Sequence, residues 1–125
     1  MRVMLVLVGG GIGSLARYLI ALWTASVFGP SFPWGTLTVN VTGSFLIGVL
    51  ATAADDYGLI GSNLRVFLVI GILGGFTTFS SFSLETARLA EGREMIPVAT
   101  NLVANLVLGL SAVFIGIACA RILAR

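Results

Sequence analysis

The stretch Gly71-Ile72-Leu73-Gly74-Gly75-Phe76-Thr77-Thr78-Phe79-Ser80-Ser81-Phe82-Ser83 decides how this chain folds. It lies inside an apolar segment that begins near Asn63 and runs into a charge cluster between Glu85 and Glu94. A segment of that length and character reads as a membrane-spanning helix of about 20 residues. Its middle is nevertheless poor helix material, because paired glycines are followed by a run of hydroxyl side chains. Two readings follow. Gly71 and Gly75, four apart, form a small-xxx-small pair that lets helices approach closely. Alternatively the helix breaks here, which lipid tolerates only where protein or water covers the freed backbone groups. Thr-Thr-Phe-Ser-Ser-Phe-Ser is unusually polar for a packing seam and favours the break. Its carbonyls and amides then point inward, available to an ion.

The rest of the chain fits a membrane setting. Of 125 residues, 58% are hydrophobic and only 10% charged, and the mean hydropathy is +1.08. Soluble domains carry about 25% charged residues, so this chain cannot clothe a water-exposed surface. Three further apolar segments flank the first: Val3 to Phe28, ending at Gly29-Pro30; Trp34 to just before Asp55-Asp56; and about Pro97 to Arg121. The whole, residues 1–125, reads as one all-α integral membrane domain of four transmembrane helices with a break in the third. The segment beginning at Val3 follows a single charge and no small-x-small cleavage site closes it, so it reads as a retained span rather than a leader. Pro97 is placed as a first-turn proline, and the short loops imply antiparallel neighbours.

All seven basic residues are arginines scattered near span ends, without a basic patch, which argues for membrane-flank charges and against nucleic acid. With four spans, Arg2, Arg65, Arg121 and Arg125 fall on one side and Arg88 and Arg93 on the other. Orientation follows such asymmetry, and this one is slight, so the chain is expected to insert both ways. A protein inserted both ways can pair with itself antiparallel and gain the inverted symmetry that transporters often obtain from internal repeats. The chain has no histidine, and its one cysteine, Cys119, sits in an apolar run. Most enzyme chemistry loses its general base and commonest metal ligand with histidine. The chain is not read as an enzyme.

Polar groups inside spans are costly and usually functional. Asn40 falls mid-span in the second segment, and Asn101 and Asn105, four apart, share a face of the fourth. A carboxamide offers two N–H donors and no fixed charge, which suits an anion that must be held and released. The alternative is interhelical hydrogen bonding, worth about 0.6 kcal/mol on average in membranes. Phe79 and Phe82, three apart, share a face if helical. Aromatic edges are positive, so these rings either meet an anion edge-on or simply contact lipid and core. Arg17, the one charge deep in the first segment, either snorkels to an interface or concentrates anions in a vestibule. The run Gly9-Gly10-Gly11-Ile12-Gly13 lies within an apolar span with no strand before it, so it reads as helix packing, not a nucleotide loop.

These motifs resemble the Fluc/CrcB family of fluoride channels, and the match covers essentially the whole chain. It rests on Gly13-x-x-x-Arg17-Tyr18, on Trp34-Gly35-Thr36-Leu37-Thr38-Val39-Asn40 with Gly43, and on Gly74-Gly75-Phe76-Thr77-Thr78-Phe79-Ser80-Ser81-Phe82. The resemblance implies a dual-topology antiparallel homodimer with two pores in the cytoplasmic membrane, passively exporting fluoride and so lowering its toxicity. It implies a structural Na⁺ at the dimer centre, held by the backbone carbonyls of Gly74 and Thr77. It further implies that Asn40, the ring edges of Phe79 and Phe82, Ser80 and Ser81 line the fluoride path, with Asn101 and Asn105 matching its fourth-span polar track. Gly109 falls where some members carry serine.

A small dual-topology proton-coupled multidrug or cation exporter is the main rival. It needs a membrane-embedded carboxylate, and of the five acids only Glu85 approaches one, toward the end of the third span.

Overall fold

The computed structural model describes residues 1–124; Arg125, counted above with the end charges, lies outside the described residues. The described residues are helical, with no strand among them. Helix α1 covers Arg2–Phe28 and α2 covers Trp34–Asp55. The third span, Ser62–Glu91, and the fourth, Met95–Leu123, complete four helical stretches long and apolar enough to cross a membrane. Each boundary has a local cause. Gly29 takes a positive φ of 79°, which costs glycine little, and Pro30 cannot continue the helix. Pro97 sits in the first turn of the fourth span, two residues after its Met95 start, where a missing N–H leaves no helical bond unmade.

The third span is assembled from pieces. Helix α3, Ser62–Arg65, leads into a wider π-helical stretch, Val66–Leu73, and then into α4, Gly74–Phe76. Thr77 (φ −85°, ψ 157°) and Thr78 (φ −154°, ψ 118°) are extended, and α5 then runs over Phe79–Glu91. The fourth span comprises α6, Met95–Val103, a π-helical stretch, Ala104–Leu108, and α7, Gly109–Leu123.

Glycines set the packing. Lipid gives apolar helices no hydrophobic reason to associate, so close backbone approach must do that work. A Cβ on Gly9 would stand 2.8 Å from the Phe67 carbonyl oxygen and 3.0 Å from Gly71 Cα. One on Gly13 would overlap the Ile72 carbonyl, and one on Gly75 the Gly10 carbonyl. Helix α1 and the third span therefore meet through glycine on both sides. The second and fourth spans do the same: a Cβ on Gly48 would overlap the Val113 carbonyl, and one on Gly116 that of Phe45. A small core of Val39, Leu73 and Phe76 fills the centre, with Ala16, Ile20 and Leu50 around it.

One end of the bundle is tied by charge. Arg65 grips Asp55 with two bonds, Nε–Oδ1 2.7 Å and Nη2–Oδ2 3.0 Å, and Arg121 lies 3.8 Å from Asp56. The 55–65 connection and the end of the fourth span thus share a side, as the alternation of spans requires.

Candidate ion-conducting site

Asn40 organises the site from the middle of α2. Its Oδ1 accepts the Thr78 backbone N–H at 2.8 Å, and its Nδ2 donates to the Thr78 carbonyl at 3.1 Å. The side chain thus replaces both ladder partners of a residue that has left the helix. Gly43, one turn on, makes room: a Cβ there would overlap Thr77 Cγ2. Thr78 is also the N-cap of α5, its hydroxyl accepting the Ser81 N–H at 3.2 Å. The same hydroxyl meets Ser81 Oγ at 3.1 Å and Ser80 Oγ at 3.3 Å.

A cavity of about 310 Å³ opens beside this junction, lined by Asn40, Ser44, Thr78, Phe79, Phe82 and Asn105 among others. The two phenylalanine rings lie 5.5 Å apart at 56° to each other. Phe82 is buried at 6% exposure while Phe79 is 75% exposed, so the cavity is open on the Phe79 side. Ser44 of α2 faces Gly109, where a Cβ would sit 3.7 Å from its Oγ, so a hydroxyl is present opposite the fourth-span glycine.

The three asparagines form a relay. Asn40 Nδ2 donates to Asn105 Oδ1 at 3.0 Å, and Asn105 Nδ2 donates to both Asn101 Oδ1 and the Asn101 carbonyl, each at 3.0 Å. Asn101 Nδ2 donates to Thr86 Oγ1 at 2.9 Å, and the Thr86 hydroxyl donates to the Phe82 carbonyl at 2.7 Å. Asn101 is wholly buried and does not itself line the cavity. Asn105 stands in the π-helical stretch of the fourth span, a wider turn of a kind frequent at functional sites.

The sequence reading is brought together here only in part. Asn40, Phe79, Phe82 and Asn105 line one cavity; Ser80 and Ser81 stand behind it on the Thr78 hydroxyl; Arg17 is half-buried on α1 and does not line it. Thr78 and Thr86 were not singled out from sequence. A threonine preceding an apolar helix start was a readable capping signal for Thr78. Thr86 had no such signal. Glu85 lies elsewhere, accepting from Thr36 Oγ1 at 2.8 Å beside a smaller cavity of about 180 Å³. Its Oε2 is buried without a partner.

Gly74 and Thr77 can be tested as carbonyl donors. In a continuous helix the N–H groups of Thr78 and Ser81 would bond their carbonyls; instead these go to Asn40 Oδ1 and Thr78 Oγ1. Two carbonyl oxygens are thereby released within a few residues, and a hard cation takes such oxygen ligands. No group of three or more His, Cys, Asp or Glu able to hold a metal occurs among the described residues.

Residues 4–117 match the family described as "CrcB-like protein, Camphor Resistance (CrcB)". The chain belongs to the CrcB family. Relatives align along almost their full length. A "Fluoride-specific ion channel FluC" of Agrobacterium fabrum (strain C58) is 48% identical over 120 residues, 96% of each chain. Proteins bearing the same name match from Geobacter metallireducens (49% over 112 residues, 90% of each chain) and from Caulobacter vibrioides (46% over 121 residues, 96% of this chain and 95% of the relative). Four spans in a chain of this family make it a multi-pass protein of the inner membrane.

Proposed function

We propose that this chain is the subunit of a fluoride-selective channel that lets fluoride leave the cell passively and so limits its toxicity. The observation that carries the reading is the end-to-end likeness to relatives named for that activity. The site supports it. Fluoride is small and strongly hydrated, so its path needs neutral donors to replace water. Amides, hydroxyls and aromatic rings meet at one cavity with no basic side chain in its lining. A path lined without a basic side chain favours passage over tight binding.

The working unit in this reading is an antiparallel homodimer of dual topology. Two features favour it: the slight arginine asymmetry between the two faces, and a cavity left open along Phe79, which a second copy would close. The third span is read as broken at Thr77 and Thr78, whose extended backbones sit between α4 and α5. The carbonyls of Gly74 and Thr77 are assigned to a structural Na⁺ at the dimer centre. Such an ion would supply a fixed positive charge where the span unwinds. The fluoride path is assigned to Asn40, Phe79, Phe82, Ser80, Ser81 and Asn105, with Asn101 behind Asn105 and Arg17 at a vestibule.

A proton-coupled exporter would work through its carboxylate, and Glu85 lies beside a different cavity from Asn40. Purified protein in liposomes loaded with fluoride or chloride tests the reading with ion-selective electrodes. Fluoride efflux is expected without an imposed proton gradient, with chloride retained. Equal release of both ions, or none of fluoride, overturns the channel.

A further inference from the structure

Resting on the channel reading, we infer that the Asn105 carboxamide oxygen is a displaceable internal acceptor: it occupies the donor on Asn40 that a conducted anion must take, and so sets how readily the anion enters. The orientation of each amide in the relay is determined by groups that have only one hydrogen-bonding role. The Thr78 backbone N–H can only donate, so Asn40 turns its oxygen to it and its NH₂ toward Asn105. The Asn101 carbonyl can only accept, so Asn105 turns its NH₂ to that carbonyl and its oxygen to Asn40. At the far end, the Phe82 carbonyl takes the Thr86 proton, leaving Thr86 an acceptor for Asn101. Every constraint gives the same direction. Flipping any one amide would oppose two donors or two acceptors.

Both Nδ2 protons of Asn40 are therefore engaged, one on the Thr78 carbonyl and one on Asn105 Oδ1. The Thr78 carbonyl is backbone and fixed; Asn105 is a half-buried side chain lining the cavity. An anion reaching Asn40 takes the place of the movable acceptor. Asn105 thus presents oxygen, the wrong pole for an anion, until it swings aside. A residue that donated to the anion would do the opposite.

The two roles predict opposite signs for Asn105→Ala. Removing a competing acceptor lowers the fluoride concentration for half-maximal flux by about threefold, the factor one average interhelical hydrogen bond in a membrane is worth. A raised half-saturating concentration, an unchanged one, or lost flux in protein that elutes as wild type overturns the inference. A second measurement needs no variant. In wild-type protein the side-chain ¹⁵N–¹H resonances of Asn40 and Asn105 are expected to move together as fluoride is titrated, because one bond is exchanged for another. Movement of Asn40 alone, or of neither, overturns it. Wild-type liposomes that release no fluoride defeat the channel reading instead, and that control is read first.

Discussion

Replacing Asn40 by leucine removes the side chain that stands in for the helical ladder at Thr78. Three hydrogen bonds disappear: the one accepted from the Thr78 N–H and those donated to the Thr78 carbonyl and Asn105 Oδ1. At about 0.6 kcal/mol per interhelical bond in a membrane, the loss is about 2 kcal/mol. Thr78 is 7% exposed, however, and its N–H and carbonyl would be left without their partner. At about 1–3 kcal/mol for each buried group so abandoned, the loss reaches about 2–6 kcal/mol. The second figure governs, because a backbone group held between helices cannot turn to find another partner. Asn40→Leu should therefore unfold at clearly lower detergent concentration in an SDS titration, and folded protein in liposomes should pass little fluoride. Asn40→Asp retains the acceptor for the Thr78 N–H but sets a carboxylate oxygen against the Thr78 carbonyl and Asn105 Oδ1. It should abolish flux in whatever fraction folds. Asn40→Leu protein as stable as wild type and with normal flux would refute the claim that Asn40 builds this junction.

The phenylalanines should separate by burial. Phe82→Leu is expected to cost about 1 kcal/mol through imperfect filling of a packed position and to slow fluoride efflux, whereas Phe79→Leu, at a residue 75% exposed, should leave subunit stability unchanged and slow efflux alone; SDS unfolding and electrode traces check both. Gly13→Ala drives a methyl into the Ile72 carbonyl and must push α1 from the third span, lowering stability by about 1–3 kcal/mol. Gly11→Ala, with nothing within 4 Å of the added carbon, is the matched control and should leave stability unchanged or raise it by up to about 1 kcal/mol in the same titration.

The spans were legible because membrane thickness fixes apolar length and because glycine and proline end helices for local reasons. Gly29-Pro30 and Pro97 sit close to where the chain alone put them. In the run Gly9–Gly13, read from sequence as packing, Gly9 and Gly13 meet the third span closely, whereas Gly11 has nothing within 4 Å. The run from Gly71 to Gly75 carried two readings, and the structure gives the packing one a partner in α1. The amides were legible as a set but not in direction. A spacing of four puts Asn101 and Asn105 on one face, yet which pole each turns outward depends on the Asn101 carbonyl one turn back and on Thr78, Thr86 and the Phe82 carbonyl, all distant in sequence. The π-helical stretch of the third span left no signature in the pattern of apolar residues, because Val66–Leu73 carries no polar side chain against which a changed period could show. Phe79 and Phe82 share a helical face, but α2 and the fourth span cover only one of them.

The relay also bears on how a path through lipid can hold donors at all. A carboxamide facing hydrocarbon without partners would be costly, so donors cannot simply wait for an ion; they must be bonded to something that can leave. Asn40 has one partner that cannot move, the Thr78 carbonyl, and one that can, the Asn105 side chain. The fixed partner preserves the junction while the ion is present, and the movable partner restores the resting network once it has gone. Exchange of one acceptor for another keeps the number of bonds nearly constant along the way. A bound state neither much better nor much worse than the empty one is what conduction demands of each step. A lysine in place of Asn105 would hold the anion more strongly and, by the same reasoning, release it too slowly to serve.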